Sequence, residues 1–160
     1  MPKRLLSTLI PLISVVTSVQ AQPQQTPAPK IVFVCEHGSA KSVIAAAHFR
    51  RLAQERGLNT DVISRGIAPD AEIPAGVRNG LKADGIDVGQ MKPAAVTAAD
   101  LKGAAKIISF GPDLAPLAGG KVAIEDWSAT PAVSEDYPAA RSYIVKRLQK
   151  LLDDLAKPNH

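Results

Sequence analysis

Ile31-Val32-Phe33-Val34 is a continuous apolar run that ends on a cysteine, Cys35, and is followed by a small-residue loop and an apolar-faced helical stretch. A β-branched run with no polar alternation suits a strand buried on both faces, as in a parallel sheet. The same alternation continues along the chain. Val43 to Arg56 carries Val43, Ile44, Ala47, Phe49, Leu52 and Ala53 on one helical face, with Gly57 as a stop. Asp61-Val62-Ile63-Ser64 reads as a second strand. Pro74 opens a helix expected to reach Asp84, with Gly85 as terminator, although Gly76 and Gly80 weaken it. Thr97 to Asp100 fits a capping box before a short helix. Ala105 to Phe110 and Lys121 to Ile124 are two further buried strands. Ala140, Tyr143, Ile144, Leu148, Leu151, Leu152 and Leu155 recur at three- and four-residue steps, as in a long amphipathic closing helix. Strands alternating with helices predict an α/β fold, a single domain over residues 30–157 with a parallel sheet of about four strands.

The 160 residues contain one cysteine, which excludes an internal disulfide framework, a multi-cysteine zinc cage and a disulfide relay within the chain. Aromatics make up only 4%, so the core is expected from Ala, Val, Ile and Leu. A net charge of +4 is too mild to indicate a nucleic-acid partner.

Residues 1–21 read as a secretory signal. Lys3 and Arg4 supply the positive start, Leu5 to Val16 the apolar stretch, and Val19-Gln20-Ala21 the small residues of a cleavage site. Leu5 to Val19 is too short to span a bilayer comfortably. Cleavage would take Lys3 and Arg4 with it, leaving 17 basic against 15 acidic side chains, or +2. Residues 22–29, rich in Pro and Gln, read as an extended tether. The expectation is a protein exported across the inner membrane, periplasmic, with no membrane attachment after cleavage.

The chemistry concentrates at residues 35–42. Ligands of parallel α/β sheets bind at the carboxyl ends of strands, and Cys35 stands at such an end, in a loop leading into a helix. Unpaired N–H groups at a helix start attract an anion, and the same field favours a thiolate. Lys41 adds a positive charge, Gly38 permits a positive φ angle, and Ser42 offers a hydroxyl to the sulfur. Cys35 is then the candidate nucleophile, with Glu36, His37, Gly38, Ser39, Ala40 and Lys41 surrounding the oxyanion. A lone cysteine is more often a small buried hydrophobe than a nucleophile; the small-residue loop and the following helix favour the reactive reading. A nucleotide P-loop is disfavoured, because Cys35 and Ala40 occupy both glycine positions of G-x-x-x-x-G-K-[ST]. No cofactor and no metal is expected.

The segment Ile31-Val32-Phe33-Val34-Cys35, five residues, then Lys41-Ser42 resembles the opening of the low-molecular-weight protein tyrosine phosphatase superfamily, which includes arsenate reductases of the same fold. Those proteins carry C-x-x-x-x-x-R-[ST] between a strand and a helix. The resemblance extends through Ser64-Arg65-Gly66, Gly85-Ile86-Asp87-Val88, Lys92-Pro93, Val96-Thr97 and Asp100-Leu101 to Asp126-Trp127 and Thr130-Pro131. It implies helices on both sides of the sheet, a phosphocysteine on Cys35, loop amides of residues 36–42 binding the oxyanion, and Ser42 assisting the leaving sulfur.

Two departures stand out. Lys41 replaces the family arginine, exchanging a planar fork for a point charge, which should weaken transition-state binding by ~2 kcal/mol or more. Thr130 precedes Pro131 where the family has an acidic residue, and threonine cannot protonate a leaving phenolate. Asp126 is the candidate substitute acid. His37 is a second candidate, although a loop histidine is often only solvated. Asp136 is placed to cap the last helix; His48 is assigned to a helix surface and His160 to a frayed end. The expectations are therefore phosphomonoester hydrolysis, arsenate reduction with an external thiol, or a degenerate homologue that binds an oxyanion or a partner. The internal disulfide cascade of thioredoxin-coupled reductases is excluded, since Ile107 to Leu117 holds no cysteine.

Overall fold

The computed structural model of the chain describes residues 27–119 and 122–157. The expected signal and most of the expected tether lie outside the described residues, as does His160. The elements are β1 (Lys30–Cys35), α1 (Lys41–Glu55), β2 (Asp61–Gly66), α2 (Ala75–Ala83), α3 (Ala98–Leu101), β3 (Lys106–Ser109), α4 (Ala115–Ala118), β4 (Ile124–Asp126) and α5 (Tyr137–Ala156). The four strands form one sheet in the order β2-β1-β3-β4, and every pairing is parallel.

β1 is central, with Cys35 level with Gly66 of β2 on one side and Val34 level with Ser109 of β3 on the other. The chain leaves β1 toward β2 and leaves β3 toward β4, in opposite directions. The crevice between these two strands is therefore the topological switch point, where α/β sheets bind ligands. Cys35, the last residue of β1, borders it.

Side-chain alternation along β1 assigns the layers. Ile31, Phe33 and Cys35 pack with Val43, Ile44 and Phe49 of α1 and with Ile144, Leu148 and Leu152 of α5. Val32 and Val34 pack on the opposite face with Leu101, Ile107 and Leu114. A strand whose two faces both meet apolar helices needs no polar residue, which is why β1 reads as an unbroken apolar run.

Several elements differ from the sequence expectation. α1 begins two residues early, at Lys41. Pro74 is the N-cap of α2 rather than its first turn; its ψ of 143° is extended, as an N-cap requires. β4 covers Ile124–Asp126; of the expected strand Lys121 to Ile124, Lys121 lies outside the described residues and only Ile124 falls in β4, a short edge strand whose two exposed residues carry little apolar signal. α4 was not foreseen; it is a single turn containing Pro116. The capping box at Thr97 and Asp100 and the cap of α5 by Asp136 are both present.

His48 lies inside the protein instead of at the helix surface, with no exposed area. It faces a polar cluster joining α1, α2 and α5. Its Nε2 is 3.3 Å from Asp84 Oδ2, and Arg141 Nε donates to the same carboxylate at 2.5 Å. Its Nδ1 lies 3.4 Å from an Arg51 guanidinium nitrogen. Helical periodicity gave no sign of this burial, because Asp84 and Arg141 join the cluster from other elements.

Candidate active site

Cys35 leads into a loop with two backbone requirements. Gly38 has φ 60°, the left-handed region favouring glycine. Gly38 also packs directly on Gly66 at the end of β2: a Cβ on Gly66 would lie 2.5 Å from the Gly38 nitrogen. Ser64-Arg65-Gly66 is thus the wall against which the 36–40 loop folds. Hydrogen bonds from Ile67 N to Cys35 O and from Ala68 N to Glu36 O extend that seam.

The loop hands over to α1 without a side-chain cap; Ala40 is the N-cap residue and offers no acceptor. The first-turn N–H groups of α1 therefore lack intrahelical partners and add the helix dipole's positive end. Ser42, fully buried in that turn, places its Oγ 3.1 Å from Cys35 Sγ. A hydroxyl at that distance can donate to a thiolate, so the sequence pairing of sulfur and Ser42 is realised in space.

Cys35, Glu36, His37, Ser39, Ala40 and Lys41 line one cavity of about 360 Å³, together with Asp70, Pro74, Phe110 and residues 132–134. Gly38 and Ser42 are buried directly behind that wall. A larger cavity of about 510 Å³ runs between α2 and residues 85–89, with Arg78 and Lys82 on its wall, but it holds no nucleophile. The residues expected from sequence to carry chemistry line the smaller cavity.

Lys41 does not stand free over the loop. Its Nζ donates to the Thr130 carbonyl at 2.7 Å, tying the start of α1 to the segment after β4. Thr130 is buried and its hydroxyl donates to Trp127 O at 2.7 Å, so it faces its own turn. That turn rests on Trp127, which is fully buried between Phe33 and Phe110, with ring centroids 6.1 Å and 5.7 Å away. The stretch reaching the cavity is Ala132, Val133 and Ser134, none of which is an acid.

Asp126 is not brought to the cavity. It ends β4, exposed, with its carboxylate accepting from Ser128 N at 2.7 Å and Ser128 Oγ at 3.0 Å. The backbone and hydroxyl bonds from Ser128 hold this carboxyl below the usual carboxylate range, the wrong direction for a proton donor near neutral pH. The acid role assigned to it from sequence is withdrawn on that geometry.

Asp70 is the residue that sequence reasoning missed. It lies in the loop after β2 and reaches the 36–40 loop. Its backbone N–H donates to His37 O at 3.0 Å, Ser39 Oγ donates to its Oδ2, and its Oδ1 lies 3.6 Å from His37 Nδ1. One carboxylate thus joins a loop serine and a loop histidine at the rim of the cavity. The only sequence cue was its position four residues beyond Ser64-Arg65-Gly66.

These observations agree with comparisons to known proteins. The family model for low molecular weight phosphotyrosine protein phosphatases matches residues 30–112, just over half of the chain. The match includes the Cys35 loop and Asp70 and ends before the segment after β4. No curated protein matches the sequence. Among solved structures, YfkJ from Bacillus subtilis superimposes with a TM-score of 0.76 at 22% identity, over 85% of this chain and 99% of that one. The YwlE arginine phosphatase, solved as a mutant with a phosphorylated active-site serine, gives 0.73 at 17% identity, over 81% of this chain and 97% of that one. An arsenate reductase in the phosphate-binding state gives 0.68 at 19% identity, over 80% of this chain and 99% of that one. At these identities the structural likeness establishes the fold.

Proposed function

The chain belongs to the low molecular weight phosphotyrosine protein phosphatase family, and from that premise we propose that it hydrolyses phosphomonoesters, aryl esters of the phosphotyrosine type among them, through a phosphocysteine on Cys35. The observation that carries this reading is the buried contact of 3.1 Å between Cys35 Sγ and Ser42 Oγ at the open end of β1. The sulfur attacks phosphorus while the loop amides and the α1 dipole hold the three non-bridging oxygens. Ser42 donates to the sulfur and makes it a better leaving group when water cleaves the phosphocysteine. Lys41 contributes charge at the cavity wall in place of an arginine fork.

The test is turnover of an aryl phosphate by the purified chain, with Cys35→Ser as the control. Cys35-dependent phosphate release and a trapped phosphocysteine support the proposal. Folded protein with no Cys35-dependent turnover sinks it. The phosphate-binding arsenate reductase among the structural neighbours favours a second reading, reduction of arsenate with an external thiol. Thiol-dependent arsenite release that disappears in Cys35→Ser, with no ester hydrolysis, would move the assignment there. Phosphate binding without turnover on either substrate would leave an oxyanion-binding homologue.

We place this activity outside the cytoplasm, on the strength of the basic and apolar pattern of residues 1–21. Amino-terminal sequencing of the protein recovered from the periplasmic fraction should begin at Gln22; recovery of the full-length chain from the cytoplasm would overturn the placement.

A further inference from the structure

Where the segment after β4 lines the cavity, at Ala132, Val133 and Ser134, it brings no acid, so a phosphatase reaction there needs another source for the leaving group's proton. The rim of this cavity offers one. His37 and Cys35 line the same cavity, and His37 Nδ1 lies 3.6 Å from Asp70 Oδ1. Asp70 is fixed by two further contacts with the same loop, its N–H to His37 O at 3.0 Å and its Oδ2 to Ser39 Oγ. A carboxylate beside one ring nitrogen orients an imidazole and leaves the other nitrogen to face a ligand. His37 keeps 62% of its side-chain surface exposed and Asp70 43%, so the pair stands at the mouth, where an ester's leaving group must lie once its phosphate occupies the loop.

Resting on the phosphocysteine reading above, we propose that His37 is the general acid and base of the reaction and that Asp70 is its positioning residue. In the first step the Cys35 sulfur forms a bond to phosphorus while the ester P–O bond breaks. The electron pair leaves on the ester oxygen, which takes the proton from His37 Nε2. In the second step neutral His37 removes a proton from water as that water attacks phosphorus. The S–P bond breaks, the thiolate returns to the Ser42 hydroxyl, and inorganic phosphate departs. The charged side chains that line the cavity with His37 are Asp70 from the loop after β2, Glu36 from its own loop and Lys41 from α1, whose Nζ donates to the Thr130 carbonyl.

The experiment compares the intact chain with His37→Gln, His37→Ala and Asp70→Asn on phenyl phosphates graded from dinitrophenol to unactivated phenol. A departing phenolate that needs its proton should lose about 10²-fold in kcat in His37→Gln, while dinitrophenyl phosphate should change by less than about threefold. Asp70→Asn should steepen the dependence on leaving-group acidity in the same sense, by less. Added imidazole should partly restore turnover of phenyl phosphate by His37→Ala. A uniform loss across the series, without rescue, would overturn the assignment, because a merely structural role does not discriminate leaving groups. Absence of any Cys35-dependent turnover, even of the dinitrophenyl ester, would overturn the phosphocysteine reading itself, whereas Cys35-dependent turnover with an unchanged leaving-group dependence would overturn the role of His37 alone.

Discussion

Lys41 Nζ and the Thr130 carbonyl meet at 2.7 Å, which makes the cation of the Cys35 loop also the strap that holds the segment after β4 over the cavity. A lysine can serve both duties only in part, since its point charge lacks the planar fork that grips two phosphate oxygens. Lys41→Met should therefore lower kcat/KM by about 10²-fold, comparable to the loss of one oxyanion donor. Lys41→Arg should raise kcat/KM on an aryl phosphate by about tenfold, because a guanidinium can keep the carbonyl and still offer donors to the oxyanion. An arginine variant that folds normally and works no better than the lysine protein would show that the strap is the role the site depends on.

Ser42, which has no exposed surface, places its Oγ 3.1 Å from its partner Cys35 Sγ. A hydrogen bond to a charged acceptor contributes roughly 1.5–3 kcal/mol, or about ten- to a hundredfold in rate. Ser42→Ala should slow iodoacetamide alkylation of Cys35 at fixed pH and lower kcat by a factor in that range. In the proposed mechanism the hydroxyl also assists the leaving sulfur, so the second step should suffer, and a burst of phenol should precede a slower steady state. Unchanged alkylation and unchanged kcat would show that the hydroxyl does not act on the sulfur.

Gly66→Ala should destabilise the fold, since its Cβ would stand 2.5 Å from the Gly38 nitrogen and 2.7 Å from the His37 carbonyl carbon. Both obstacles are backbone, so neither can swing aside. Overpacking of that kind costs about 1–3 kcal/mol. Gly57→Ala is the comparison: Gly57 has φ 67° but nothing within 4 Å of the added methyl, so it carries conformational strain alone. Urea denaturation should rank Gly66→Ala below Gly57→Ala, and equal midpoints would refute the close approach.

The parts of this architecture legible in the sequence are those whose cause is local. β1 announces itself because both faces are apolar, the capping box because Thr97 and Asp100 are three residues apart, and Gly38 because the loop needs its positive φ. What escaped is made by distant closure. Asp70 meets Ser39 across 31 positions, and no periodicity marks an aspartate that a folded loop will bring back to the site. Asp126 looked acidic and well placed, but the nearby Ser128 amide and hydroxyl claim its carboxylate. β4 escaped for the opposite reason: an edge strand with exposed residues has little apolar pattern to read.

His48 has no exposed surface, and its burial ties acid stability to one imidazole. Burial pulls its pKa below the ordinary histidine value; the Asp84 carboxylate opposes this, and the nearby Arg51 and Arg141 side with burial. The unfolded chain therefore takes up this proton at a higher pH than the folded one. Where the unfolded state binds more protons, stability rises with pH, so this residue should favour the fold fully above its unfolded value near 6.5. That contribution should be lost progressively as the pH falls from there toward the lower folded value. Urea midpoints measured between about pH 7.5 and pH 5 should fall toward acid, and His48→Gln, which carries no titrating group, should flatten that limb. Circular dichroism of the variant at neutral pH checks that it still folds, and an NMR titration of the His48 ring in the unaltered chain gives the same answer without a substitution. A folded-state titration at or above the ordinary histidine value would mean that Asp84 outweighs burial, and the sign of the pH dependence would reverse.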